Sequence, residues 1–247
     1  MATTSTSPAP EPESNSIARI FGALFSPGAT FRSIARKPTW MPPIIVIALL
    51  AVSVVAIFGK RVGWESYFRR QNATSSRFQQ LTPQQQQQAI QTQTKLVSKI
   101  VYGAAVIAPF IEMAVLAAIF LAVFNLLGGA QLKFGVSLGI VAYAWTPAII
   151  SSLLGIVILY LKDPSTVDLQ NLLATNVGAF LSSESPRWLV ALLGSLDVFS
   201  FWIMSLMAIG YSAAAPKKFS FGKAFLYIFA VWFVYVLVKV GATAAFS

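Results

Sequence analysis

Residues 188–210 read WLVALLGSLDVFSFWIMSLMAIG, with Asp197 the one charged side chain among 23 positions. Wound as an α-helix at about 1.5 Å per residue, the stretch is long enough to cross a bilayer core of roughly 30 Å, which takes about 20 apolar residues. Its apolar side chains cover nearly the whole circumference. A soluble helix would instead show one apolar stripe. Four further apolar segments occur at about 42–58, 100–127, 134–161 and 224–246, separated by polar stretches. The expected fold is all-α, a polytopic transmembrane helix bundle of five spans, with 42–58 the shortest.

Composition excludes the main alternatives. The chain is 56% hydrophobic and 11% charged, whereas a soluble domain carries about 25% charged residues. Cysteine and histidine are both absent, which removes disulfides, thiolate chemistry, the usual zinc sites and every imidazole base. There is no HExxH, no glycine-rich phosphate loop and no CxxC. We therefore expect no enzyme activity, no catalytic or metal-binding residues and no cofactor. The net charge of +10 does not point to nucleic acid, because the basic residues flank apolar segments or sit in one loop, without a recognition helix or an aromatic platform. The expected partners are the lipid bilayer and its anionic headgroups.

Residues 1–15 are rich in Ser, Thr, Pro, Ala and Glu and are expected to form a disordered tail, without the pattern of a secretory signal peptide. Ile17, Ile20, Phe21 and Leu24 then fall at helical spacing, and Ser26-Pro27 has the form of a cap and first turn of a second short helix carrying Phe31 and Ile34. Both are too short to span. They are expected as short interfacial amphipathic helices, with Arg32, Arg36 and Lys37 toward anionic lipid, or else packed under the end of the bundle itself.

Between the first two spans lie Trp64, Tyr67 and Phe68 beside Arg69 and Arg70, then Leu81-Thr82-Pro83 and five consecutive glutamines. Thr82 as N-cap, Pro83 at the first position and Gln85 at the third form a capping box, so the glutamines are read as a polar helix feeding span two. The connection 165–187 is mildly amphipathic and is expected near the membrane interface. Pro216-Lys217-Lys218 marks a basic hairpin between the last two spans.

Glu112 and Asp197 are the two carboxyls expected at membrane depth, where a charge near the centre of a span costs about 2.5–3.5 kcal/mol on insertion scales. Each is either a proton or cation relay or a hydrogen-bonded link between helices. Lys239 can pair with Asp197 or snorkel to the surface. Pro109 and Pro147 are expected to kink their spans. Gly135 and Gly139 form a GxxxG, and Ser151 and Gly155 a second small pair, which permit close helix approach.

Three stretches together resemble a known family. Phe25-Ser26-Pro27-Gly28-Ala29-Thr30-Phe31 is followed by Pro38-Thr39-Trp40-Met41-Pro42. Ala142-Tyr143-Ala144-Trp145-Thr146-Pro147 continues to Ser152-Leu153-Leu154-Gly155. Leu196-Asp197-Val198-Phe199-Ser200-Phe201-Trp202 continues through Ala208-Ile209-Gly210-Tyr211 to Lys218-Phe219-Ser220 and Lys223-Ala224. In order and spacing these resemble the Ypt/Rab-interacting (Yip) family of five-span membrane proteins in its prokaryotic form, over an integral membrane domain at 16–247. The resemblance implies a cytoplasmic N-terminus, a bacterial inner-membrane location and a non-enzymatic role. Eukaryotic relatives act in vesicle trafficking through small GTPases. This chain lacks their long cytoplasmic tail and its Asp-Leu-Tyr-Gly-Pro-like segment, so GTPase binding is not carried over.

The leading expectation is an adaptor or scaffold that organises membrane proteins or lipids, possible as an oligomer, with Arg32, Arg36, Lys37, Lys217 and Lys218 as contact residues and unidentified membrane proteins as partners. The alternative is a small transporter or channel using Glu112 and Asp197 between kinked helices, although the spans show no evident internal repeat.

Overall fold

The computed structural model describes residues 15–73, 75–167, 172–182 and 185–245. The expected disordered tail lies outside the described residues except for Asn15, which accepts a hydrogen bond from the Ile17 N–H and caps the first helix.

Helices follow in the order α1 (Ser16–Phe25), α2 (Pro27–Arg36), α3 (Met41–Arg61), α4 (Trp64–Ala73), α5 (Ser76–Gln79), α6 (Pro83–Ala122), α7 (Phe134–Ala144), α8 (Pro147–Leu161), α9 (Arg187–Leu193), α10 (Val198–Ala214) and α11 (Phe221–Ala245). A π-helical turn, Val123–Leu127, extends α6. Met41–Arg61, Pro83–Leu127, Phe134–Leu161 and Phe221–Ala245 are long and apolar enough to cross a membrane. The helical bundle class expected from sequence is therefore the one observed.

The stretch 188–210 departs from expectation: it is not one helix. It splits into α9 and α10 around Gly194–Asp197, and Asp197 caps α10 by accepting the Ser200 N–H at 3.1 Å. Asp197 is a poor helix-interior residue and a good N-cap, so its side chain starts a new helix where uniform hydrophobicity suggested one rod. Four full-length spans stand beside this interrupted fifth unit, in which α10 alone has 17 residues, about 26 Å of rise.

The glutamine run folds as expected. The Gln85 N–H donates to Thr82 Oγ1 and the Thr82 N–H to Gln85 Oε1, and the helix then runs for 40 residues, about 60 Å, before its π turn. Pro109 does not end it. Pro147 interrupts its span. Because proline has no N–H to donate to the carbonyl four residues back, the hydrogen-bond ladder is interrupted at Tyr143, α7 ends, and α8 begins with Pro147 in its first turn. The freed Tyr143 carbonyl accepts the Thr146 hydroxyl at 2.9 Å.

The two N-terminal helices are not simply laid on the membrane surface. Phe31 and Ile34 of α2 are fully buried, as is Ala23 of α1. A Cβ on Gly210 of α10 would stand 2.4 Å from Ile140 Cγ2 and 3.0 Å from Phe31 Cδ1, so only a bare backbone admits α2 between α7 and α10. Gly139 performs the same service, with Ile34 Cγ2 and the Thr39 carbonyl each 3.0 Å from its would-be Cβ, while Gly135 faces open space. The GxxxG thus serves the N-terminal hairpin through one of its two glycines. The outer side of α1 still presents Ile17, Phe21 and Phe25, spaced one turn apart and exposed, as an interfacial helix does.

Gly210→Ala is expected to destabilise the protein by about 1–3 kcal/mol, the usual cost of overpacking, whereas Gly241→Ala, which meets nothing within 4 Å, should be neutral or stabilising. Thermal unfolding of the two variants in the same detergent checks this contrast.

Candidate functional site

Three places carry the polar residues singled out by sequence. The first is the end of the bundle where α3 and α11 begin and α10 finishes. Arg19, on α1, is buried there at 5% exposure. Its Nη1 donates to the Lys37 carbonyl at 3.0 Å and to Thr39 Oγ1 at 3.1 Å, and its Nη2 donates to Ser33 Oγ at 2.9 Å. Thr39 Oγ1 in turn lies 3.1 Å from the Tyr143 hydroxyl, which donates to the Ser16 carbonyl at 3.0 Å. Since the Tyr143 proton goes to Ser16, Thr39 is the donor in its bond to Tyr143. One chain of donors therefore ties α1, the α2–α3 link and α7 together. Arg19 lies one turn before the buried Ala23, on the inner side of α1.

The basic hairpin after α10 is fixed by Phe219, which is 2% exposed. Its ring meets Phe124 at 4.8 Å and Tyr227 at 5.4 Å, and Phe124 stacks on Tyr211 at 4.0 Å with the planes 5° apart. Such offset or edge-on aromatic pairs add about 0.5–1.5 kcal/mol beyond area burial. The Tyr211 hydroxyl donates to Ser137 Oγ at 2.6 Å, because Ser137 gives its own proton to the Ala117 carbonyl. A Cβ on Gly128 would lie 2.1 Å from Phe219 Cζ, so the glycine turn after α6 makes room for this anchor.

The result is a face on which Arg32, Arg36, Lys37, Lys133, Lys217, Lys218 and Lys223 are all exposed. The four acids among the described residues are Glu65, Glu112, Asp163 and Asp197, and none lies at this end. The opposite end is mixed: Glu65 pairs with Arg69 at 3.0 Å, and the side-chain and backbone hydrogen bonds from Ser165 hold the Asp163 carboxyl below the usual carboxylate range. Arg32, at the rim of a groove of about 340 Å³ lined by Ile209, Ala213, Phe219 and Phe221, joins α2 to the hairpin side.

The second place is Asp197. Its carboxylate receives the Ser200 N–H at one oxygen and the Thr175 hydroxyl at the other. Asn176 and Asp197 form an isolated antiparallel bridge, with Val198 N–H donating to the Thr175 carbonyl at 3.2 Å. The connection after α8 thus dips inward, with Leu172 against Gly155 of α8. Residues 168–171 and 183–184 of that connection lie outside the described residues. A pocket of about 300 Å³ opens beside Asp197, lined also by Val54, Ser151 and Ser152. Val54 stands seven residues before the end of α3, about 10 Å of rise, so Asp197 lies inside the membrane domain. Lys239 does not pair with it; Nζ donates to Ser195 Oγ at 3.2 Å.

The third place is Glu112. It sits on the outward flank of α6 and is exposed, in contrast to its neighbours Pro109 and Met113, which are buried. The two membrane carboxyls are therefore not brought into one site. Among the described residues no three His, Cys, Asp or Glu side chains cluster as metal ligands do.

Residues 21–242 match the Yip1 domain. The chain belongs to the Yip1 domain family. No curated protein and no solved structure matches it. With the family and its apolar helices together, this Yip1-domain chain is a multi-pass membrane protein. The matched range takes in α2, the basic hairpin and both broken helices, and it includes the Phe31, Tyr143 and Phe219 anchors that build the basic face.

Arg19→Leu removes at least the three charge-assisted hydrogen bonds to Lys37, Thr39 and Ser33, each worth about 1.5–3 kcal/mol, and should free α1 and α2 from the bundle. Limited trypsin digestion in detergent is expected to cleave after Arg32 and Arg36 at least about tenfold faster in this variant, since proteolysis follows the population of the open form.

Proposed function

We propose that this protein is a non-enzymatic membrane adaptor of the bacterial inner membrane, with its N-terminal, basic end in the cytoplasm. The observation that carries this reading is the cluster of exposed cations Arg32, Arg36, Lys37, Lys217 and Lys218, held in place by buried anchors beneath it. A cation near an anionic leaflet contributes about 1 kcal/mol, and a rigid mounting removes the entropic cost of gathering several such cations. The cytoplasmic placement of this end follows the family resemblance; the positive-inside rule is divided, since Lys60, Arg61, Arg69, Arg70, Arg77, Lys95 and Lys99 in and beside the loop between the first two spans favour the opposite end. Anionic headgroups and acidic segments of other membrane proteins are the ligands such a surface fits.

Replacing Arg32, Arg36, Lys37, Lys217 and Lys218 together by Gln is expected to lower the enrichment of anionic over zwitterionic lipid at least about tenfold, with loss of co-purifying membrane proteins. Mass spectrometry of the protein captured from native membranes in mild detergent measures both. Unchanged lipid preference and unchanged partner recovery would refute the assignment.

A second reading, transport, is supported by one specific feature: Asp197 stands at a broken helix inside the membrane domain, beside a polar pocket and an inward-dipping connection, as ion and substrate sites in transporters do. Against it, both carboxylate oxygens already receive donors, which is what a structural N-cap requires. In proteoliposomes carrying a pH-sensitive dye, Asp197→Asn should leave proton leak unchanged if the residue is a cap, and Asp197→Ala should cost about 1–2 kcal/mol of stability. Abolition of a wild-type flux by Asp197→Asn would favour transport.

A further inference from the structure

Glu112 poses a problem that the basic face does not solve. It stands 13 residues after Lys99 and 16 before Gly128, about 20 and 24 Å of helix rise from the two ends, so it lies near mid-membrane. It is exposed on the outward side of α6, and no residue among those described gives it a hydrogen bond or an ion pair. Facing lipid there, a carboxyl has no water to satisfy it and is costly to insert. Intramembrane ionisable groups accordingly face protein or water.

We propose that the flank of α6 centred on Glu112 is the contact between two copies of this chain. On the same flank, Ala108 lies one turn before Glu112 and Ala104 two turns before, while Val115 and Ile119 follow it; all four are exposed. Alanines at this spacing let two helix backbones approach, which is how helices associate in a medium that gives apolar surfaces no reason to cluster. The occupant is a second copy because of chemistry and depth. A neutral carboxyl is at once donor and acceptor, so it is complementary to its own image about a two-fold axis along the membrane normal. Two copies inserted in the same orientation place their Glu112 side chains at equal depth. The intramembrane cation of this chain, Lys239, is on another helix and donates to Ser195, so it does not supply the missing partner. The contact is independent of the adaptor reading, since it involves none of the basic-face residues.

The chain has no cysteine, so single substitutions report directly. In reconstituted liposomes, Ala104→Cys and Ala108→Cys are expected to form disulfide-linked dimers under mild oxidation, which requires a Cβ separation of about 3.8 Å, while Leu226→Cys and Leu237→Cys on the exposed side of α11 are not. These variants keep Glu112 and its fold. In a second measurement, dilution of donor- and acceptor-labelled protein in liposomes, Glu112→Gln should retain energy transfer, because an amide is also donor and acceptor. Glu112→Leu should raise the dissociation constant at least about tenfold, which corresponds to about 1.4 kcal/mol. Equal cross-linking at α6 and α11, no cross-link at either alanine, an adduct with a different protein in native membranes, or Glu112→Leu associating like the wild type would each overturn the proposal.

Discussion

The buried guanidinium of Arg19 is the constraint on which the basic end of the molecule depends. With its hydrogen bonds to the Lys37 carbonyl, Thr39 and Ser33, it closes the N-terminal hairpin on itself, and the Thr39–Tyr143–Ser16 relay then ties the hairpin to α7. A charged group taken out of water is tolerated only when its donors are met. The segment that supplies those acceptors therefore has little freedom to lie anywhere else. Burial of Phe31 and Ile34 follows the same geometry, and Gly139 and Gly210 clear the space for it.

Irregular backbone inside the bilayer is governed by a related rule: every polar group must find a partner within the protein. Two breaks illustrate it. At Pro147 the carbonyl of Tyr143 loses its helical donor and receives the Thr146 N–H and hydroxyl instead. At Asp197 the first turn of α10 is capped by the carboxylate, which is itself held by Thr175 from a connection that dips in to reach it. At both breaks side chains take part in completing the hydrogen bonding. Glu112 on α6 does not meet the same rule among the described residues, and neither does the buried Trp145 Nε1.

Charge divides the molecule along its axis. Seven exposed cations gather at one end, whereas the other end sets its cations among acids, with Arg69 paired to Glu65 and the Asp163 carboxyl held below the usual carboxylate range by Ser165. A single-sign field attracts anionic surfaces over a Debye length of about 8 Å at physiological salt, and the Phe219 anchor keeps Lys217 and Lys218 within that field instead of on a loose loop.

Sequence by itself determined the all-helical membrane class, since long apolar runs with few charges have no other stable form in a bilayer. It also determined the start of α6, because Thr82 and Gln85 satisfy each other locally. Features whose energetics are local in sequence were legible in this way. The burial of Arg19, the insertion of α2 and the separation of Lys239 from Asp197 were decided by tertiary structure, because each depends on which side chains from distant segments meet. The break at 194–197 lies between the two cases. A cap and an intramembrane link use the same aspartate, and Thr175, brought in from 22 residues earlier, makes the cap the stable choice.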